Sequence, residues 1–289
     1  MHPSSALRPI LVATALAASS TLALAQRTPS PGSLDAARAA AQRTPGDLDA
    51  TIWLGRFIGY TGDFEQAVRI YTEALATRPD EPWLLRHRGH RYISMRQFDA
   101  AIGDLRRAYD LTVGKADVVE PDGQPNPRGI PTSSLQSNIR YHLALAHFLR
   151  YEFAEAARYW EEDARVARNL DHRVAATYWW VLSLARQRDS EAVQAALAPI
   201  RADWEIIENG SYHRLLLWMK GEMTDAELRA TMTTPLERQT IGNGMAQWNQ
   251  ARGRRQSAED LVREVLATGP SASFGYLGAE ALGRELGIR

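Results

Sequence analysis

Residues 54–79 read LGRFIGYTGDFEQAVRIYTEALATRP, and residues 88–113 read RGHRYISMRQFDAAIGDLRRAYDLTV. Laid over each other at an offset of about 34 residues, they share Gly55/Gly89, Phe64/Phe98, Ala67/Ala101 and Ala74/Ala108. Gly62 falls over Arg96, Tyr71 over Leu105 and Pro79 over Val113. A fixed period of this size marks a helical solenoid. One helix pair cannot bury its apolar face alone, so the stack folds as a unit and offers its outer surfaces to partners.

From Leu48 onward the residues resemble the tetratricopeptide repeat (TPR) family, which pairs antiparallel helices A and B. The first repeat carries Leu54, Gly55, Gly62, Phe64, Ala67, Tyr71, Ala74 and Pro79 at the family's positions. The second, from Pro82, carries Gly89, Tyr92, Phe98, Ala101 and Ala108. Looser matches continue from Ser137 (Leu143, Ala144, Phe153, Ala156, Trp160), Arg173 (Ala192, Ala196), Ile207 (Gly221, Ala226) and Gln239 (Ala246, Gly253, Ala258, Pro270). The resemblance implies an all-α, right-handed alpha-alpha superhelix, a TPR-like solenoid of about six helix pairs over residues 47–289. The segment Phe274 to Leu286 reads as a final helix capping the apolar end. Ser33 and Asp47 read as N-caps of a short helix, Leu34 to Gln42, and of the first repeat. Ser133 with Gln136, Thr224 with Glu227 and Ser257 with Asp260 read as capping boxes.

Outside the repeats, residues 1–25 have a weakly basic start, an apolar stretch and Ala23-Leu24-Ala25, the pattern of a signal peptide cleaved after Ala25. The run is shorter than the ~20 apolar residues a membrane span needs. The expectation is therefore export to the periplasm or beyond, with no membrane span after cleavage. Residues 26–46 form a Pro/Ser/Thr linker and the short helix. Basic and acidic residues number 34 each, which leaves no electrostatic footprint for nucleic acid. Cysteine is absent, so an exported chain of this kind is held by packing alone. Only Lys115 and Lys220 are lysines.

The period breaks once. Residues 114–134, GKADVVEPDGQPNPRGIPTSS, are inserted after the second repeat, and their prolines and glycines rule out a continued helix. Long loops in compact domains are usually functional or disordered. Three polar residues at normally apolar repeat positions, Arg88, Arg140 and His147, stand near the break. A buried Arg needs a partner. The expectation is that the insertion folds back over repeats 2 and 3, pairs Glu120 or Asp122 with Arg88 or Arg140, and walls a polar pocket.

No catalytic motif is present: no HExxH, P-loop, dinucleotide fingerprint or G-x-S-x-G. The chain reads as a non-enzyme without cofactor or metal. His87 and His90, with His142 and His147 nearby in repeat order, match no recognised metal motif. Trp160, Trp179 and Trp180 read as core. Asn209, Tyr212 and His213 read as a turn before an apolar helix, Leu215 to Met219. The resemblance places Trp83, Arg86, His90, Ile93 and Ser94 of repeat 2 on the concave groove, beside Asp49, Ile52, Arg56, Gly59 and Tyr60 of repeat 1. Arg56, Tyr60, Arg86 and His90 then line one wall. Arginine forks suit carboxylates, so the groove is expected to bind a protein or peptide partner through an acidic segment or a free C-terminus. Ile52 and Arg56 depart from the Lys and Asn of the family's carboxylate-clamp subgroup, which puts chaperone-tail recognition in doubt. The alternative is a small-molecule or enzyme-like pocket under the insertion, and a closed polar pocket with little open groove would favour it.

Overall fold

The structure, a computed structural model, describes residues 28–288. The segment read as a signal peptide lies outside them. Fourteen helices follow one another among the described residues. A short α1 (Leu34–Arg43) precedes six pairs: α2 (Leu48–Tyr60) with α3 (Phe64–Thr77), α4 (Pro82–Ser94) with α5 (Phe98–Thr112), and α6 (Leu135–Leu149) with α7 (Phe153–Arg165). Next come α8 (Leu170–Arg186) with α9 (Ser190–Leu197), α10 (Gly210–Lys220) with α11 (Asp225–Ala230), and α12 (Pro235–Ala251) with α13 (Arg255–Leu266). A last helix, α14 (Phe274–Leu286), ends the chain.

Small residues let each pair close up. A Cβ added at Gly55 would come within 2.4 Å of the Tyr71 ring, and one at Gly89 within 2.6 Å of Leu105. The third, fourth and sixth pairs begin two to four residues before the places their repeat pattern suggests, because α6, α8 and α12 extend toward their N-termini, whereas α10 of the fifth pair begins at Gly210, after the expected Ile207. Caps fix those starts. Ser134 with Ser137, rather than Ser133 with Gln136, forms the capping box of α6. Thr224 with Glu227 caps α11, while Ser257 lies inside α13 and caps nothing. Asn209 stands at the N-cap of α10, so Tyr212 and His213 belong to its first turn, not to a connecting loop.

Every A-to-B turn contains one residue with positive φ: Gly62, Arg96 (φ 61), Tyr151 (φ 66), Arg188 (φ 61), Gly221 and Gly253. Arg96 donates to Glu280 Oε2 at 2.8 Å and Tyr151 Oη donates to the Ala281 carbonyl at 2.6 Å. Both contacts clamp α14 against repeats 2 and 3.

That clamp changes the shape of the inner face. α12 is buried continuously from Gln239 to Asn249, with α8, α10, α13 and α14 around it. The fifth pair is short, so α8 packs directly on α12. Gly275 lets α14 approach the backbone of α12, where a Cβ would lie 2.5 Å from the Gln239 carbonyl oxygen. The expected open groove is therefore absent along repeats 3 to 6: the solenoid curls until its A helices and α14 pack on one another. Trp160 and Trp179 stack at 5.5 Å, fully buried in this core, while Trp180 packs half-buried at its margin.

Candidate functional site

The insertion is ordered by its two ends. Val119 pairs with Ser134 in an isolated antiparallel bridge. Asp117 accepts from Ser134 Oγ at 2.6 Å and from the Gln136 backbone N–H at 3.0 Å, which ties the loop to the start of α6. Between these ends the chain folds back over the inner face, against repeats 1 and 2. Gly123 passes so close that a Cβ would lie 2.1 Å from the Tyr60 hydroxyl.

Glu120 is the anchor of that contact. It is 2% exposed, and its Oε1 lies 3.2 Å from Arg86 Nη2 and 3.6 Å from both Arg56 Nη1 and His87 Nε2. Its Oε2 accepts from Asn138 Nδ2 at 2.8 Å. Arg56 also donates to the Pro121 carbonyl at 2.8 Å and stacks over Trp53.

The expected partners Arg88 and Arg140 are engaged elsewhere. Arg88 forms a bidentate pair with Asp104 of α5, at 2.7 and 2.8 Å. Arg140 donates to the fully buried Asp163 of α7 at 2.8 Å. His147 meets Glu152 at 2.6 Å, remote from the insertion in the same repeat. Each of the three links an A helix to the helix or turn that follows it. These carboxylates already engage all three side chains, so the insertion has no role there.

Two compartments lie beneath the insertion. The first is a cavity of about 60 Å³ lined by Arg56, Tyr60, Tyr71, Arg86, His87, His90 and Arg91. The four residues expected on one wall are thus brought together, with Arg91 and His87 added to them. Among the described residues this cluster holds three guanidinium groups against one carboxylate. Arg91 is 8% exposed, contacts His90 Nδ1 at 2.9 Å and has no carboxylate partner among the described residues. Arg86 Nε is buried without a hydrogen bond. Burial pulls the Arg86 and Arg91 pKa values down, and Glu120 pulls that of Arg86 back up. Burial and the neighbouring guanidinium groups hold His87 and His90 far below the ordinary imidazole range, so both are neutral.

The second compartment is a chamber of about 270 Å³. Asn138, Tyr141 and His142 of α6 form one side, Asp163, His172 and Tyr212 another, Asp122 and Glu208 the mouth, and Phe274 of α14 the end. His90 and His142, with ring centroids 4.3 Å apart, stand where the two compartments adjoin. His142 Nδ1 lies 2.5 Å from the Asn138 carbonyl and must carry the proton, which leaves Nε2 as an unused acceptor. His172 Nε2 lies 2.9 Å from Asp163. The Tyr141 hydroxyl receives Trp179 Nε1–H at 2.7 Å and meets Tyr212 Oη at 3.3 Å. At the mouth, burial and then repulsion from Glu208 raise the Asp122 pKa to about 6. Among the described residues, no three His, Asp or Glu side chains are grouped to hold a metal ion.

No family model matches the sequence, and no curated protein matches it. Solved structures do resemble the fold. The chain superposes on the Cut9–Hcn1 hetero-tetramer of the APC/C with a TM-score of 0.50 and 14% identity, over 85% of this chain and 45% of that one. The chain has the tetratricopeptide-repeat fold. A TPR protein from Parabacteroides merdae (TM-score 0.48, 12% identity, 86% of this chain and 90% of that one) is also similar. So is YrrB, a TPR protein described as having an unusual peptide-binding site (TM-score 0.44, 12% identity, 84% and 97%). The TPR register explains why Arg56, Arg86 and His90 point inward. It gives no sign of Arg91, whose guanidinium reaches across to Gly59, where a Cβ would lie 2.5 Å from Nη1.

Proposed function

We propose that this protein is an exported TPR scaffold that binds the carboxylate-bearing end of a protein or peptide partner, end-on, in the compartments beneath the insertion. The observation that carries this reading is the excess of buried positive charge: three guanidinium groups converge where, among the described residues, only Glu120 answers them. An unpaired buried Arg costs several kcal/mol, which a ligand carboxylate would offset. The closed inner face argues against a long peptide running through a groove and for a chain terminus entering the chamber. It equally admits a small carboxylate seated against the arginines of the first cavity, the second reading. Export rests on residues 1–25 alone.

Calorimetric titration tests the proposal with acetyl-Gly-Tyr-Ala as free acid, its C-terminal amide, and acetate. The free acid is expected to bind, and its binding to be lost with the amide and in Arg56→Ala and Arg86→Ala. Equal binding of acid and amide, or binding untouched by both substitutions, refutes it. Acetate binding as tightly as the peptide would favour the small-molecule reading.

A further inference from the structure

A different cleft, on the turn edge of the solenoid, shares no residue with the compartments above. It encloses about 650 Å³ where the α8–α9 turn faces the α12–α13 turn. The short fifth pair creates it, because α8 and α12 pack directly and bring the turns of repeats 4 and 6 opposite each other. Its apolar floor includes Val193 and Trp248, and its walls carry Arg188, Arg252 and Arg254.

Three features single out this cleft. First, no acidic side chain lines it, and none of its three arginines is paired with a carboxylate among the described residues. Ion pairs hold many of the other arginines, in a chain whose formal net charge is zero. Second, the Arg252 guanidinium lies over the Trp248 ring, 4.5 Å from its centroid, which fixes one cation beside the apolar floor. Third, Arg188 has φ 61. Of the six turn residues with positive φ, three are glycines, and Arg96 and Tyr151 use their side chains to hold α14. Among the described residues, Arg188 alone of these three bears the left-handed strain with no side-chain hydrogen bond or ion pair in return. Strain kept without a structural gain is a mark of functional positions.

We propose that this cleft is a second interaction surface, one that takes an acidic peptide segment carrying an apolar side chain. Carboxylates would pair with Arg188, Arg252 and Arg254 while the apolar side chain covers Val193 and the Trp248 edge. Three arginines around an apolar hollow do not form the extended basic stripe that nucleic acid requires.

Fluorescence anisotropy of labelled acetyl-Glu-Glu-Phe-Glu-Glu-amide, whose capped C-terminus denies it the chain-end carboxylate, tests the proposal on the full chain. Wild type is expected to bind and to weaken as salt rises. Arg188→Gly is expected to raise Tm by about 2–4 °C, by relieving the left-handed strain, and to weaken the peptide about fivefold or more. Arg254→Gln is expected to weaken it similarly, and Arg86→Met to leave it unchanged. The proposal is overturned by no binding by wild type up to millimolar peptide, by affinity unchanged in both Arg188→Gly and Arg254→Gln, or by a lower Tm in Arg188→Gly. Loss of binding in Arg86→Met alone would assign the peptide to the inner compartments and also overturn it.

Discussion

Glu120 closes the basic cavity from outside the repeats, and its chemistry is that of the proposed ligand. Glu120→Gln leaves Arg86 and Arg56 buried without a full counter-charge. Removing one partner of a buried pair costs about 3–5 kcal/mol, and urea denaturation of the free protein should show a loss of that order. Asp122 behaves in the opposite sense. Its folded pKa of about 6 lies above the ordinary 3.8, so the folded chain holds a proton that the unfolded chain releases between those values. Its contribution is thus intact below pH 4 and lost as pH rises to 6. Asp122→Asn should match wild type at pH 4 and be the more stable by pH 7, as read from Tm across that range. The resemblance of repeats 1 and 2 to the TPR pattern makes Arg56, Tyr60, Arg86 and His90 legible: helix periodicity sets which residues share a face, and the family's register implies which face turns inward. Arg91 and His87 were not legible, because their roles depend on Gly59 and Tyr71 in the neighbouring repeat. The partners of Arg88 and Arg140 are hidden in the sequence for a related reason: Asp104 and Asp163 stand on the following B helices, and an Asp on a helix face looks the same in sequence whether it is solvated or paired.

Among the elements, the insertion and the α6–α7 pair bear most on the site. Residues 114–134 read as a loop because of their Pro and Gly. That they fold inward onto Arg56 and Arg86 follows from tertiary pairing, which local sequence does not encode. Replacing residues 116–131 with a short Gly/Ser connector removes both Glu120 and the Asp117 contacts that start α6. Tm should fall; an unchanged Tm would show that the insertion does not support the fold. Asp163 lies beneath both Arg140 and His172, so it ties α6 to α7 and α8. Asp163→Asn should cost about 3–5 kcal/mol in urea denaturation, more than most surface substitutions.

For the whole molecule, the repeat pattern foretold six pairs and a last helix but not the closure. Closure depends on a fifth pair too short to separate α8 from α12, and on Arg96 and Tyr151 reaching α14 from positions the pattern reserves for glycine. It also covers His90 and His142 with Phe274, and with His87, enclosed by Tyr71 and Glu120, they are buried in their neutral forms. Unfolded, each would take up a proton below about pH 6.5, which the folded protein does not. Their contribution is present above that pH and lost as pH falls through 6, with unfolding approaching an uptake of about three protons. Denaturation followed from pH 7 to 5 should show this slope, and a flat profile would mean that these rings are accessible to water.

The central claim is that the enclosed arginine cluster is a carboxylate seat, part of it already occupied by Glu120. Titration of the free-acid peptide acetyl-Gly-Tyr-Ala into wild type and Glu120→Gln tests it most directly. With the internal carboxylate neutralised, Arg56 and Arg86 are released to the ligand, and the affinity for the free acid should rise severalfold while the amide stays unbound. An affinity that is unchanged or weaker in Glu120→Gln, with the variant still folded, would contradict it.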